Sequence, residues 1–139
     1  MPREIDWEGL IVAFESRSQQ ITHFFDRETG DVEQVLTRDA ERHAAFASDS
    51  RYDALPKDLG ERSLGDLEEF LTRCEDGACR SALAATLQAP GSIGSYRDTL
   101  TRFPKEEARF FQFKEHRALE RAQEWLTSRG IAFTRPERA

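Results

Sequence analysis

The stretch Phe24–Leu36, FFDRETGDVEQVL, constrains the fold of this chain more than any other. Two runs rich in β-branched and aromatic residues, Ile21–Phe25 and Val32–Leu36, flank the polar knot DRETGD. Such runs fit a pleated, half-buried surface. Asp26 is able to bond the backbone a few residues on, and Gly30 to take the positive φ that closes a four- or five-residue hairpin loop. Side chains alternate along a strand, so Ile21, His23 and Phe25 share one face, and Thr22 and Phe24 the other. Aromatic rings on both faces require a cover on both. A lone hairpin is marginal in water, and RYDALP (Arg51–Pro56) is expected to add a third short strand ended by its proline.

The remainder reads as helix. Asp6 caps a first helix whose apolar stripe is Trp7, Leu10, Ile11 and Phe14, ending near Ser16–Ser18. Residues 37–50 form a loop or a short helix anchored by Ala44, Ala45 and Phe46. Ser63 with Asp66 resembles a capping box, followed by the stripe Leu64, Leu67, Phe70 and Leu71. Glu75–Gly77 interrupts it, Ala78–Gln88 forms an alanine-rich helix, and Pro90-Gly91 ends that. Ser92 caps a helix aligning Ile93, Tyr96, Leu100 and Phe103. Pro104 opens a long last helix, with Glu106 and Glu107 in its first turn and Arg129-Gly130 at its end. Ala108, Phe111, Ala118, Leu119, Ala122, Trp125 and Leu126 keep one period along it. Phe110 and Phe113 fall off that stripe, so the helix is buried on two sides or breaks near Gln112. Ile131–Phe133 docks as an extended tail. The sum is an α+β chain forming a single domain over residues 1–139. A small antiparallel sheet of two or three strands packs against a predominantly helical C-terminal part, with about five helices in all.

Ten Phe and two Trp in a chain that is 38% hydrophobic provide a core. The net charge is −6, spread unevenly: residues 1–104 carry 12 basic against 20 acidic side chains, residues 105–139 carry 8 against 6. An acidic body disfavours nonspecific duplex binding and anionic membranes, both of which reward clustered cations. The start MPREIDWEG lacks a signal-peptide layout, and LIVAF (Leu10–Phe14) is far too short to span a bilayer. A cytoplasmic, soluble protein is expected.

Reaction chemistry is sparse. CEDGAC (Cys74–Cys79) has neither the number of a disulfide framework nor the usual zinc-knuckle spacing, and His23, His43 and His116 are far apart. No metal and no cofactor is expected. Glu68-Glu69, Glu106-Glu107 and Asp58/Glu61 read as solvated helix faces and first turns. No P-loop, nucleophile elbow or Cys-His arrangement occurs. PGSIGSYR (Pro90–Arg97) is the one glycine-serine cluster opening a helix; it follows no expected strand and reads first as a tight helix–helix corner, with an anion site from free N–H groups and Arg97 as the alternative. Arg109, Lys114, Arg117 and Arg121 share roughly one face of the last helix, diluted by Glu115, Glu120 and Glu124. Trp125 with Phe110, Phe111 and Phe113 reads as core in preference to a stacking platform.

Taken in order, FFDRETGDV, RYDALP, LAATLQAPGSIGSYRDTL and RFFQFKEHRALERAQEWL resemble a bacterial family, number 158 of the uncharacterised-protein-family series. Its most specific features here are the D-x-x-T-G turn, Gly91–Leu100 and A-x-E-W-L (Ala122–Leu126). Gly91, Tyr96, Arg97 and Asp98 match the family's middle segment, Ile93 replaces a phenylalanine, and Gly94 and Ser95 stand where two basic residues are usual. The resemblance implies a bacterial cytoplasmic α+β protein and transfers no catalytic residue. The expected function is a non-enzymatic protein-binding or regulatory module. One alternative is a weak single-stranded nucleic-acid binder using Arg109, Lys114, Arg117 and Arg121. Another is a small phosphoester- or nucleotide-acting enzyme using the Ser92–Arg97 corner, with Gly91, Ser92, Tyr96, Arg97 and Asp98 as candidate binding residues.

Overall fold

The hairpin forms as its turn residues require. The computed structural model describes residues 4–16, 18–57, 61–88 and 92–136, with 61–63 and 92 described by their backbone alone. Strand β1 (Ile21–Asp26) pairs antiparallel with β2 (Val32–Leu36), placing Ile21 opposite Leu36 and Phe25 opposite Val32. Strand β3 (Tyr52–Ala54) pairs with the other side of β1, giving the order β2-β1-β3. In the turn, Asp26 Oδ1 accepts from the N–H groups of Glu28 at 2.9 Å and Thr29 at 3.3 Å. Gly30 sits at φ +81°. A Cβ there would stand 2.1 Å from the Glu4 carbonyl oxygen, and the Asp6 N–H donates to the Gly30 carbonyl at 3.0 Å. Conformation and space both demand glycine.

Asp26 does more than shape the turn. Arg51 donates from Nε and Nη2 to its two carboxylate oxygens at 2.9 and 2.8 Å, a bidentate pairing that joins the turn to the approach of β3. The Arg51 bonds, helped by the turn N–H groups, overcome burial and hold the Asp26 carboxyl well below the usual carboxylate range.

The contacts divide the chain into two compact units, Met1–Asp58 with Arg117–Ala139, and Leu59–His116. In the first, helix α1 (Trp7–Glu15) starts at Asp6, whose carboxylate accepts from the Gly9 N–H. Its Leu10, Ile11 and Phe14 pack with Phe25 and with Ala118, Leu119, Ala122, Trp125 and Leu126 from the later half of the last helix. Trp125 meets Phe14 and Phe25 edge-on, at ring separations of 6.5 and 5.8 Å. Helix α2 (Ala40–Ser48) covers the opposite face of the sheet, with Phe46 at 5.3 Å from Phe24 and 4.4 Å from Tyr52. Ala44 and Ala45, expected as anchors beside Phe46, are exposed. His43, three residues before Phe46 and so on the same helical face, packs on Phe24 and lies 3.1 Å from Thr22 Oγ1.

The second unit holds α3 (Glu61–Arg73), α4 (Gly77–Thr86), α5 (Ser92–Leu100) and the first half of α6 (Pro104–Ser128). Its core comprises Leu67, Phe70, Cys74, Cys79, Leu83, Tyr96, Leu100, Phe110 and Phe113. Three expectations need correction. Helix α3 begins at Glu61, before Ser63, and the expected capping partner Asp66 is buried 3.9 Å from Lys114 Nζ. Leu64, read as part of the stripe, is exposed. Helix α5 already includes Ser92, while Pro90 and Gly91 lie outside the described residues.

Helix α6 runs unbroken through Gln112. Its first half buries Phe110 and Phe113 while Ala108 and Phe111 face solvent; its second half follows the expected stripe. The helix serves two cores in succession, so no single period describes it. At its end Gly130 takes φ +70°, and the N–H groups of Gly130 and Ile131 return to the Thr127 and Leu126 carbonyls. Ile131 is buried, and Phe133 packs edge-on against Trp7.

Gly30→Ala is expected to cost about 2–4 kcal/mol in urea unfolding followed by circular dichroism, from the left-handed backbone and the clash with Glu4. Asp26 has a depressed folded pKa, so its contribution is present above its unfolded value and lost as pH falls toward the folded one. Asp26→Asn should therefore be less stable at neutral pH, and its stability should vary less between about pH 5 and pH 2 than that of the parent chain.

Candidate functional site

The joint between α3 and α4 is built by one side chain. Asp76 caps α4, its Oδ1 accepting from the N–H groups of Ala78 at 2.9 Å and Cys79 at 3.1 Å. That cap sets Cys79 in the first turn of α4, with Cys74 just after the last turn of α3. Both thiols are free, at 1% and 0% exposure. Glu106, in the first turn of α6, is only 5% exposed and joins them: one ligand atom from each residue lies within 4.8 Å of the others. The expectation that Glu106 is solvated was wrong for a reason visible in the chain. Glu106, Phe110 and Phe113 follow i, i+4, i+7, and so share the buried face. Glu107 follows the expectation more closely, being half-buried.

The electrostatics of the cluster are uneven. Glu106 Oε1 accepts from Arg109 Nη1 at 2.8 Å, whereas Oε2 is buried without a hydrogen-bond partner. Arg109 also donates to the Arg73 carbonyl at 2.8 Å and lies 3.6 Å from Glu75. Burial works to raise the Glu106 pKa, but the adjacent Cys74 thiol and Arg109 outweigh it and leave the carboxyl below its ordinary value. Burial first, then the neighbouring Glu106, pushes the Cys74 thiol up to about 12. Burial likewise raises Cys79. Cys74 Sγ donates to the Asp76 carbonyl at 3.6 Å, and Arg80 donates to the Cys74 carbonyl. Glu106 also borders an open groove of about 640 Å³, shared with Glu75, Asp76, Arg102, Phe103 and Lys105.

The residues singled out from sequence do not converge. Tyr96 is fully buried and its hydroxyl donates to the Leu67 carbonyl at 3.0 Å, a structural pin between α5 and α3. Arg97 is exposed, its guanidinium 5.7 Å from the centre of the Phe111 ring. Asp98 is exposed and its backbone carbonyl accepts from Thr101 Oγ1. Gly91 and the Ser92 side chain lie outside the described residues. Along α6, Arg109 is held by Glu106, Lys114 lies 3.9 Å from Asp66, and Arg117 lies 3.7 Å from Glu120. Arg121 is half-buried. Among the described residues, none of the three histidines joins a group of candidate metal ligands.

Fold and site define an α+β protein, with a three-stranded antiparallel sheet and a helical C-terminal part that carries a buried cysteine pair beside a carboxylate. Residues 1–138 match the uncharacterised protein family UPF0158, and the chain belongs to that family. No curated protein and no solved structure matches it. Among the described residues, no helix is long and apolar enough to cross a membrane.

Both thiols should resist a bulky aromatic disulfide reagent at about pH 8 in the folded protein, because burial keeps them protonated and covered. Both should react within seconds once urea unfolds the chain, as read by absorbance of the released thiolate.

Proposed function

We propose that this chain is a non-enzymatic binding module that recognises another protein, and that the contact centres on Phe111 and Arg97. The observation that carries this reading is the exposure of Phe111: a large apolar ring, 49% exposed on a well-formed helix, with a guanidinium over it. Aromatic and arginine side chains dominate interface hot spots, and a ring already held in place loses little entropy on docking. Gly94 and Ser95, in the same helix as Arg97, are exposed, and nothing lies within 4 Å of a Cβ built at Gly94. The family resemblance favours a bacterial, cytoplasmic setting.

The nucleic-acid alternative draws less support. Arg109, Lys114 and Arg117 each face a carboxylate, and phosphate binding would have to break those pairs. For an enzyme on the α5 corner, Tyr96 is committed to a backbone carbonyl and Arg97 to Phe111.

A photoreactive aromatic residue placed at position 111 should cross-link one protein partner in extracts of the source cell. Phe111→Ser should weaken that partner's binding by about 2 kcal/mol, or roughly 30-fold, while changing folding stability by less than about 0.5 kcal/mol. Cross-links only to nucleic acid, or a Phe111→Ser variant binding as tightly as the parent, would refute the reading.

A further inference from the structure

We propose that Cys74, Cys79 and Glu106 form a binding site for one thiophilic divalent cation of the zinc class, a reading that does not depend on the Phe111 surface. Two soft sulfur donors and one carboxylate oxygen suit zinc and reject magnesium or calcium, which demand all-oxygen shells. The three ligand atoms lie within 4.8 Å of one another. Such a triangle contains a point no more than about 2.8 Å from each atom, so movements of less than about 1 Å reach zinc–sulfur and zinc–oxygen bond lengths.

The independent observation is Glu106 Oε2. It is buried and makes no hydrogen bond of ordinary geometry, although the Cys74 thiol lies close enough to the carboxyl to lower its pKa, and a carboxylate oxygen so placed calls for a better counterpart. Its sister oxygen is already held by Arg109, an arrangement that orients a metal-ligating carboxylate and leaves the other oxygen for the ion. Charge also fits. Two thiolates and a carboxylate total three negative charges, against two on the cation and one on Arg109. The first turns of α4 and α6 bring Cys79 and Glu106 to the positive ends of two helices, which favour the anionic ligands.

On binding, two S–H bonds give way to two metal–sulfur bonds and both protons leave to solvent. Glu106 also lines the open groove, so one ligand residue of the site reaches solvent-filled space, and a water would complete a four-coordinate shell. The spacing Cys74-x4-Cys79 departs from the short cysteine knuckle because the intervening residues build the Asp76 helix cap.

The test is a Co²⁺ titration of the reduced full chain, stripped with chelator and kept anaerobic. Expected are one Co²⁺ per chain, a thiolate-to-cobalt charge-transfer band, d–d bands of tetrahedral intensity, and displacement by Zn²⁺ but not Mg²⁺. Cys74→Ser and Cys79→Ser should each weaken binding more than about 100-fold, and Glu106→Gln about 10–100-fold with the charge-transfer band retained. Circular dichroism checks the fold of each variant, and should the cysteine variants not fold, the parent spectrum and Glu106→Gln decide. The proposal fails if the reduced parent chain gives no charge-transfer band. It fails equally if Glu106→Gln binds Co²⁺ as tightly as the parent, or if the band survives in a folded Cys74→Ser chain.

Discussion

A single buried carboxylate organises the sheet. Asp26 accepts two backbone N–H bonds within its own turn and a bidentate pair from Arg51, so one side chain ties the hairpin to the segment that leads into the third strand. Stripped of those partners, a carboxylate at 3% exposure would be strongly destabilising. With them, it fixes the position of Gly30, whose carbonyl receives the N–H of Asp6 and whose missing side chain admits the Glu4 backbone. Asp6 in turn caps α1, which packs on Phe25, the residue just before Asp26 in the same strand. Turn, first helix and sheet are therefore mutually dependent, and none is a separable local structure.

A comparable chain of dependence runs through the second unit from Asp76. Its carboxylate ends the break after α3 and starts α4, which brings two thiols together; α6 then delivers Glu106 to them on the face that also buries Phe110 and Phe113. Polar chemistry inside this core is thus a by-product of helix capping and helix phase, not of a dedicated loop.

What the sequence disclosed divides along physical lines. Features set by neighbours in the chain were legible: the Asp26–Gly30 turn, the Asp6 cap, the Pro104 start and the Gly130 stop all follow from local backbone chemistry. The pairing of Arg51 with Asp26, and the cover of Phe24 by α2, depend on distant segments, although rings on both faces of β1 required some cover. Helix α6 was legible in its second half only: Ala108 and Phe111, placed on the stripe, face solvent, because the helix packs into two cores in succession. Glu106 was misread, since an acidic first turn is ordinarily solvated and only its spacing from Phe110 and Phe113 marks it as inward. The cysteine–carboxylate cluster was invisible to spacing rules because one of its members comes from another helix.

Both tryptophans, Trp7 and Trp125, lie in or against the core built on α1, the sheet and the tail, whereas the unit around Cys74 and Tyr96 has none. Intrinsic fluorescence consequently watches one half of this chain and is nearly blind to the other. A melting curve recorded at indole emission describes the sheet-bearing half, and a claim that the whole chain unfolds in one cooperative step needs a second probe placed among the helices of the other.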